Sequence, residues 1–377
     1  MQQHKKIVIA PDSFKGSISA KDAAQAIRAG LLHGLDKSIT ADIVCVPIAD
    51  GGEGTLDTLV SPEKRTRCQV KGPRFTPLHA EYGQLEDTAI IEMASAAGLT
   101  LIPEVLRSAG LTTTYGVGEL ILHALQSGYK KCILTVGGSA TNDGGAGMLS
   151  ALGGKCYDAE GNLFVPTGLT LERIASIDLS GLSSLLSECE FLIATDVKNP
   201  LLGQEGATYV YGRQKGATDA ELDAIERGMS HYASLLSALS GKDVAAIKGC
   251  GAGGGLSAPL LAFANAKIQS GIEAVLDTLH FSDLLCGADL VITGEGKIDR
   301  QSLFGKAISG VASYAGKQNV PVYCFVGCIG DDIEVLRSMG VRDIFAIGDL
   351  AQSPEDSMQN AGRYLEQLAQ RFAKTIF

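Results

Sequence analysis

The chain has 377 residues, with 42 acidic residues against 32 lysines and arginines and a formal net charge of −10. This length favours two domains, because a single core usually stops growing near ~250–300 residues, and the acidic balance without a basic block argues against binding to the backbone of DNA or RNA. No apolar stretch approaches the ~20 residues of a membrane span, and the apolar run before Pro11 is too short for a signal peptide, so we expect a cytoplasmic protein without a membrane partner.

The first elements predict a strand, a helix and a second strand. Residues 6–10, KIVIA, form a short apolar run typical of a buried strand, and Ser19 and Asp22 have the capping-box spacing that begins a helix. Residues 43–48 predict the second strand. A strand, helix, strand unit of this kind favours parallel pairing of its two strands.

The middle of the chain has a different pattern. Residues 66–93 contain short strand-like pieces separated by Gly and Pro, which favours hairpins over crossovers. From 114 to 280, helical patterns alternate with two short strands, 132–136 and 191–195. We therefore expect an α/β domain with a mixed sheet in this part of the chain.

The end of the chain returns to alternating strands and helices. Strands are predicted at 289–293, 320–326 and 343–347, and helices near 303–317, 331–339 and 356–375. The most economical layout is a doubly wound parallel sheet, Rossmann-like or flavodoxin-like, formed by residues 1–65 and 285–377, with an unlike α/β domain of residues 66–284 inserted. Two contiguous domains are the alternative.

A glycine-rich loop follows the strand predicted at 132–136. The segment 136–145, VGGSATNDGG, combines four glycines with Ser, Thr, Asn and Asp directly before a predicted helix. Glycines let the backbone approach a ligand closely, and the free N–H groups of such loops bind anions. A tight turn explains two glycines but not four with this set of polar residues. We therefore expect the loop to bind a nucleotide phosphate or another anion.

Established nucleotide-binding motifs are absent or weak. There is no G-x-x-x-x-G-K-[ST] and no protein-kinase signature set. One G-x-G-x-x-G occurs at Gly249, Gly251 and Gly254, but the strand before it, 244–247, is weak, and Gln269-Ser270 stands where an acidic residue would be expected. A nicotinamide dehydrogenase stays formally open on this motif alone.

Three further strand-end loops carry acids: 12–17 (DSFKGS), 49–55 (ADGGEGT) and 293–299 (TGEGKID). The carboxyl ends of parallel strands share one edge of a sheet, where ligands bind. Acids gathered there repel each other unless they hold a cation, and Mg²⁺ is the usual partner of carboxylates beside phosphates. A helix cap or Asx turn is the alternative explanation of each acid, and the three loops together favour a site.

A fourth polar region follows the strand predicted at 191–195. Asp196 stands at the strand end, where it can act as a general base or a metal ligand. Lys198, Arg213 and Lys215 can hold a phosphate or a substrate carboxylate. A solvated basic loop is the alternative.

Taken together, these segments resemble the type I glycerate kinase family, bacterial enzymes that phosphorylate glycerate with ATP. The resemblance covers almost the whole chain and rests on nine segments in order. They are IAPDSFKGSISA (9–20), PIADGGEGT (47–55), IEMASAAGLTL (91–101), TTTYGVGELI (112–121), VGGSATNDGGAGML (136–149), ATDVKNPLLGQEGAT (194–208), GRQKGAT (212–218), GAGGGLSA (251–258) and GADLVITGEGKIDRQSLFGKA (287–307). Each segment alone is weak, and the nine in order are specific.

The resemblance implies transfer of the γ-phosphoryl group of ATP to a hydroxyl of D-glycerate, most often the 2-hydroxyl, which gives 2-phosphoglycerate. A kinase that forms 3-phosphoglycerate and a non-catalytic protein that binds a sugar acid are the alternatives. The resemblance also implies ATP and Mg²⁺ as cofactors, and two unlike α/β domains with the active site in the cleft between them. The sequence leaves a homodimer open.

The resemblance implies roles for individual residues of the polar loops, because phosphoryl transfer depends on positioned amides, cations and Mg²⁺. The catalytic candidates are Asp196, Asp50, Lys15 and Lys198, with Asp196 as first choice for the base and Asp50 as second. The nucleotide-binding or substrate-binding candidates are Gly137, Gly138, Ser139, Ala140, Thr141, Asn142, Lys215 and Gly294. The metal candidates are Glu295, Asp299 and Asp196, and Asp12 and Ser13 are expected to line the cleft.

Overall fold

The structure is a computed structural model that describes residues 3–52, 54–298, 306–330 and 334–377. The strands, in chain order, are β1 (Gln3–Pro11), β2 (Ile39–Cys45), β3 (Arg65–Lys71), β4 (Pro77–Leu85), β5 (Thr88–Glu92), β6 (Lys131–Thr135), β7 (Lys155–Tyr157), β8 (Leu163–Phe164), β9 (Ser176–Asp178), β10 (Glu190–Ala194), β11 (Asn265–Gln269), β12 (Leu290–Gly294), β13 (Lys297–Ile298), β14 (Val322–Val326), β15 (Cys328–Ile329) and β16 (Val341–Ala346). The α-helices are α1 (Ala20–Gly34), α2 (Thr55–Leu59), α3 (Ala94–Ala97), α4 (Tyr115–Gln126), α5 (Ala146–Ala151), α6 (Ala207–Tyr211), α7 (Asp219–Ser240), α8 (Ala258–Phe263), α9 (Gly271–Thr278), α10 (Phe281–Leu285), α11 (Ala307–Lys317), α12 (Glu334–Ser338), α13 (Pro354–Gln359) and α14 (Ala361–Ile376).

Two compact units make up the chain. The first unit contains Met1–Leu59 and Gly271–Phe377, and the second contains Val60–Ser270. The division therefore differs from the boundaries expected at 65/66 and 284/285. Helices α9 and α10 lie with the first unit because Ile272, Leu276 and Phe281 are buried in the same core as Val8. The start of β3 lies with the second unit because Arg65 is paired with Gly83 of β4.

A five-stranded sheet forms the first unit. Its strand order is β2-β1-β12-β14-β16, and every pairing in it is parallel. Counted within the unit this is the order 2-1-3-4-5 of flavodoxin-like folds, whose ligands bind outside the carboxyl ends of the strands where the order reverses. The predicted doubly wound parallel sheet built from both chain ends is confirmed.

Strand β1 explains why helices cover both faces of this sheet. Ile7 and Ile9 are fully buried in a core shared with α1 and α14. Val8 and Ala10 are also fully buried, but in a core shared with α9, α10 and α11. Each large apolar side chain removed from water contributes roughly 1.5–3 kcal/mol, so a strand that is apolar on both faces requires helices on both.

Helix α1 begins as its capping pattern predicts. Ser19 is the N-cap, and its hydroxyl oxygen accepts a hydrogen bond of 3.1 Å from the Asp22 N–H.

The second strand ends earlier than predicted, at Cys45, although the N–H groups of Val46 and Ile48 still donate to carbonyls of β1. The predicted closing helix is two helices, α13 and α14, which meet at Asn360.

A six-stranded mixed sheet forms the second unit, in the order β11-β10-β6-β5-β4-β3. The two hairpins β3–β4 and β4–β5 are antiparallel, and the other pairings are parallel. The predicted hairpins and mixed sheet are thus confirmed. The segment predicted as a weak strand at 244–247 is instead a 3-10 helix, Val244–Ala246, so the glycines at 249–254 do not follow a strand.

Among the described helices, none has the length and the apolar character that crossing a bilayer requires.

Candidate functional site

A cavity of about 650 Å³ opens in the first unit, at the carboxyl edge of its parallel sheet. It is lined by residues that follow all five strands of that sheet. Those lining residues are Asp12, Ser13, Phe14, Lys15, Ser17, Asp50, Glu295, Gly296, Lys297, Lys306, Gly327, Cys328, Ile347, Gly348, Ala351, Gln352, Ser353, Pro354, Ser357 and Met358. The expected convergence of the strand-end loops 12–17, 49–55 and 293–299 on one edge is therefore observed for their described residues.

Three carboxylates of this cavity influence one another. Burial, with the negative charges of Asp50 and Glu295, raises the pKa of Asp12 to about 7, although a 2.6 Å hydrogen bond from the Ser13 N–H opposes the rise. Glu295 is itself only 7% exposed. Such a concentration of negative charge in a partly buried place is costly without a cation nearby.

The backbone around Asp12 fixes its position. The Asp12 N–H donates a 2.8 Å hydrogen bond to the Gly294 carbonyl, which joins the end of β1 to the end of β12. Gly294 has no room for a Cβ atom because the carbonyl of Phe325 on β14 lies against it. This close approach requires glycine at position 294, so no ligand contact is needed to explain the residue.

Asp50 lies in a tight turn after β2. One of its carboxylate oxygens accepts a 3.0 Å hydrogen bond from the Gly52 N–H, as in an Asx turn. The carboxylate also lines the cavity. The sequence offered an Asx turn and a ligand site as alternative explanations of Asp50, and in the structure Asp50 both forms the turn and lines the cavity.

The cavity lining also contains three lysines. Lys15 is exposed after β1, Lys297 lies on β13, and Lys306 caps the start of α11. Three lysines beside three carboxylates suit a ligand that carries several negative charges together with a divalent cation. Lys306 was missed from the sequence, although the quoted segment 287–307 contains it.

Metal-binding side chains were predicted at Glu295, Asp299 and Asp196. Asp299 lies outside the described residues, and Asp196 belongs to the second unit. Within the described ranges, no group of three or more His, Cys, Asp and Glu side chains is arranged to hold a metal ion by itself. Mg²⁺ usually needs only one or two carboxylates, with the remaining ligands from substrate phosphates and water, and the charge repulsion at Asp12 fits such a partial site.

In the second unit, the glycine-rich loop after β6 has an exposed tip. Gly137 and Gly138 are exposed, Ser139 is half-buried, and Gly138 has a positive φ of 68°. Within the described part of the chain, no hydrogen bond leads from the N–H groups of these three residues to a protein acceptor. Exposed amides in such a turn can bind an anion.

The second half of the loop is buried instead. Thr141, Asn142 and Asp143 are fully buried, and among the described residues the Thr141 hydroxyl and the side-chain amide oxygen of Asn142 have no hydrogen-bond partner. The Asp143 carboxylate accepts four hydrogen bonds of 2.8–3.2 Å, from the N–H and hydroxyl of Thr114 and from the N–H groups of Gly145 and Gly147. Asp143 therefore ties the loop to α4 and α5. The sequence did not reveal this role, because burial decides it.

Lys215 is also buried, at 2% exposure, and its ammonium donates a 2.8 Å hydrogen bond to the Thr141 carbonyl. Burial lowers the pKa of Lys215 to about 7, which the negative charge of Asp143 partly opposes. Lys215 thus holds the loop from behind. Lys215 therefore contacts the predicted loop, at Thr141, but its ammonium group is buried and not exposed to a ligand.

Asp196 and Lys198 are exposed in the segment after β10, the strand next to β6. The Asp196 carboxylate accepts a 2.9 Å hydrogen bond from the Ser270 hydroxyl. Arg213 forms an exposed ion pair with Asp219, 2.5 Å between nitrogen and oxygen. Asp196 and Lys198 thus have exposed side chains, and Asp196 and Arg213 both have protein partners.

Comparison with known proteins agrees with this architecture. Residues 7–377 match the profile of the Glycerate kinase family. A glycerate kinase of Bacillus subtilis (strain 168) is 44% identical over 377 residues, which cover 98% of this chain and 97% of that protein. A glycerate 2-kinase of Escherichia coli (strain K12) is 44% identical over 346 residues, 91% of this chain and 90% of that protein.

A solved structure shares the fold at similar identity. The crystal structure of "putative glycerate kinase 2" from Salmonella typhimurium LT2 matches with a TM-score of 0.89 and 42% identity, covering 99% of this chain and 98% of that one. The profile, the relatives and the fold all span nearly the full length, so the resemblance carried by the nine sequence segments is confirmed. The chain belongs to the glycerate kinase family and is a kinase.

Proposed function

We propose that this chain phosphorylates D-glycerate with the γ-phosphoryl group of ATP in a Mg²⁺-dependent reaction, and that the product is 2-phosphoglycerate. The observation that carries the proposal is the cavity of the first unit, which gathers Asp12, Asp50 and Glu295 with three lysines at the carboxyl edge of the sheet. That chemistry suits a polyphosphate with a divalent cation. The relatives named glycerate kinase and glycerate 2-kinase supply the acceptor.

Mg²⁺ is assigned to Glu295 with Asp12 and Asp50. Burial and the nearby charges of Asp50 and Glu295 together raise the pKa of Asp12, and a cation bound there would offset the cost of these charges. When bound, Mg²⁺ would offset the charge of the phosphate oxygens. Asp299 belongs to the same proposed set by its place in the segment after β13.

Asp196 is assigned as the general base, with Asp50 as the second candidate. Its exposed carboxylate is held by Ser270 and can accept a proton. In the reaction, the acceptor hydroxyl oxygen forms a bond to the γ-phosphorus, the bond from that phosphorus to the β–γ bridging oxygen breaks, and ADP leaves. The hydroxyl proton passes to the Asp196 carboxylate.

Lys15, Lys198 and the loop tip Gly137–Ser139 are assigned to the anionic groups of the substrates. Lys15 and Lys198 are exposed and cationic, and the loop tip offers amide donors that no protein group within the described chain uses. Developing negative charge is stabilised most by donors that are already in position. Thr141, Asn142 and Lys215 then act behind the tip, by holding its conformation.

The test is an ADP-release assay with MgATP and D-glycerate, in which phosphorus NMR identifies the product. Turnover that requires both glycerate and Mg²⁺, with a 2-phosphoglycerate signal, is the expected result. A 3-phosphoglycerate signal would mean that the 3-hydroxyl of glycerate, and not the 2-hydroxyl, is the acceptor. Tight glycerate binding without ADP release would instead support a non-catalytic sugar-acid-binding protein.

We also propose that the two units are separate folding domains, with the boundaries at 59/60 and 270/271. The support is that each unit has its own sheet and its own hydrophobic core. Expression of residues 60–270 alone should give a cooperatively folded protein. A homodimer, which the sequence leaves open, is tested by sedimentation of the full chain.

A further inference from the structure

The segment 97–112 lies along the glycine-rich loop of the second unit. At its start, the Ala97 carbonyl accepts a 2.8 Å hydrogen bond from the Ala140 N–H of the loop. At its end, the Thr112 hydroxyl is 3.0 Å from the Ala140 carbonyl oxygen and 3.1 Å from the Ser108 carbonyl oxygen. The segment is therefore fixed beside the loop at both of its ends.

Arg107 of this segment has a hydrogen-bond donor that the protein does not use. A short 3-10 helix, Glu104–Leu106, ends at Arg107, whose backbone N–H donates a 3.2 Å hydrogen bond to the Glu104 carbonyl. The Arg107 side chain is half-buried, and its Nε is buried without a hydrogen-bond acceptor among the described residues. A buried donor without an acceptor costs free energy, so this position favours a ligand that supplies acceptor oxygens.

The segment that contains Lys215 meets Arg107 at the same place. Gly216 has a positive φ of 91°, and a Cβ atom there would lie 2.4 Å from the Arg107 carbonyl oxygen. The preceding residue, Lys215, donates its hydrogen bond to the Thr141 carbonyl of the glycine-rich loop. Arg107 thus lies where two segments of the second unit pack against that loop.

Other cations near the loop differ from Arg107. Lys215 is buried, and its ammonium already has a protein acceptor. Arg213 forms an ion pair with Asp219, and Lys198 is exposed after β10. Arg107 combines partial burial with a buried N–H that no described protein group accepts, and this combination is suited to a negatively charged ligand.

We propose that Arg107 binds the carboxylate of the acceptor, D-glycerate, beside the glycine-rich loop and so makes the enzyme select a hydroxy acid over a neutral alcohol. The inference rests on the proposed function and deepens it by assigning a residue that recognises the acceptor. A guanidinium group is planar and presents parallel N–H donors that match the two oxygens of a carboxylate. D-glycerate has a single charged group, so one such residue is enough to recognise it.

Arg107→Gln tests the assignment by steady-state kinetics of the full chain. Loss of the charged hydrogen bonds should raise KM for D-glycerate about 10- to 100-fold and leave KM for ATP within about twofold. The melting temperature should stay within about 2 °C, because the Arg107 side chain has no acceptor in the described protein to lose. Arg107→Lys keeps the charge without the planar group, so its KM for D-glycerate should be intermediate.

Arg67→Gln is the matched control, because Arg67 is an exposed arginine of β3 in the same unit. It should leave both KM values and the melting temperature unchanged. An unchanged KM for D-glycerate in Arg107→Gln would overturn the proposal. An equal rise of KM for ATP would overturn it too, since Arg107 would then not be specific for the acceptor.

D-glyceramide, the neutral amide of the acceptor, separates recognition of the carboxylate from a structural effect. Calorimetry measures the binding of each compound. The parent protein should bind D-glycerate at least about tenfold more tightly than D-glyceramide, and Arg107→Gln should bind the two within about threefold. A structural role of Arg107 would weaken both compounds equally, and an undiminished preference for D-glycerate in the variant would refute the proposal.

Chemical modification tests the parent protein without a substitution. Phenylglyoxal modifies guanidinium groups, and mass spectrometry of the peptides follows Arg107 and Arg67 separately. D-glycerate should slow the modification of Arg107 at least about fivefold, glycerol should not, and neither should change the rate at Arg67. Protection by tripolyphosphate but not by D-glycerate would assign Arg107 to a phosphate group instead. Failure of phenylglyoxal to reach Arg107 in the free protein would also refute the proposal.

Turnover of the same samples distinguishes this inference from the proposed function. Phosphorylation of D-glycerate by the parent protein, without protection of Arg107 by D-glycerate, would leave the kinase standing and refute the role of Arg107. Protection of Arg107 by D-glycerate without its phosphorylation would support the carboxylate site and refute the proposed function.

Discussion

The two units each place a polar, glycine-containing segment at the carboxyl end of parallel strands, but they use it differently. In the first unit, the side chains of Asp12, Asp50 and Glu295 line an open cavity and repel one another. In the second unit, Asp143 is fully buried and accepts four hydrogen bonds from its own chain. The two kinds of loop look alike in sequence.

Hydrogen bonds explain the difference. A buried carboxylate that receives several N–H and O–H donors stabilises the fold, because its desolvation is offset by its contacts. Carboxylates that lie close to other carboxylates repel them, and a bound cation relieves that repulsion. Glycines and acids after a strand therefore do not by themselves distinguish a ligand-binding loop from a loop whose buried acid stabilises the fold.

The largest expected effect is at Asp196, whose carboxylate is exposed after β10. Asp196→Asn should lower kcat by about 10²–10⁴, the range that a positioned general base supplies, and should change the unfolding free energy by less than about 0.5 kcal/mol, as is usual at exposed positions. ADP release and thermal melting measure the two quantities. Asp223→Asn, an exposed acid on α7, is the control. Activity kept within tenfold would transfer the base role to Asp50.

Asp143 should show the opposite signature. Asp143→Ala leaves four buried donors without an acceptor, so the free energy of unfolding should fall by about 3–5 kcal/mol. Urea denaturation measures the change, with Asp223→Ala as the matched acid in the same unit. If Asp143→Ala were as stable as the parent protein but inactive, the Asp143 carboxylate would have a catalytic role and not a structural one.

Asp12 is the counterpart in the first unit. Asp12→Asn should lower kcat/KM by about 10²–10³, comparable to the loss of one charged group that stabilises a transition state. Its melting temperature should stay equal or rise, since the change removes a charge that Asp50 and Glu295 repel. Asp42→Asn, exposed on β2, is the control. A clear drop in melting temperature would mean that Asp12 is structural, like Asp143.

Lys215 should make stability depend on pH. Its pKa is lowered from 10.5 to about 7 by burial, so between pH 7 and pH 10.5 the unfolded chain binds a proton that the folded chain does not. Stability of the parent protein relative to Lys215→Met should therefore rise with pH, by roughly 2–3 kcal/mol from pH 6 to pH 9. Urea denaturation of both proteins at the two pH values gives the difference. A flat difference would place Lys215 in contact with water.

Much of the architecture could be read from local patterns. The apolar run 6–10 and the cap at Ser19 act over a few residues, so they were predicted correctly. The boundary of the first unit could not be read in the same way. The apolar face of α9 suits either core, and only tertiary packing assigns Ile272 to the core that contains Val8.

The candidate site shows the same limit. The acids of the cavity were predicted because each stands at the end of a predicted strand. The lining residues between 347 and 358 were not predicted, because Ile347, Ala351 and Met358 have no motif and reach the cavity only through tertiary packing. Lys215 looked like an open phosphate ligand, since no local pattern indicates that a lysine is buried.

The pairing of β1 with β12 has a consequence for how the protein is made. Ile7 lies beside Leu290, so the central strand pair of the first unit joins segments separated by most of the chain. At about 5–20 residues per second, the ribosome would release the partner of β1 roughly 15 to 60 seconds after β1 itself. During that interval, β1 can pair only with β2, and α1 lacks the α14 side of its core, whereas residues 60–270 can already fold. Newly made chains should therefore depend most on chaperones at their amino-terminal end, and truncation before β12 should abolish folding of the first unit alone.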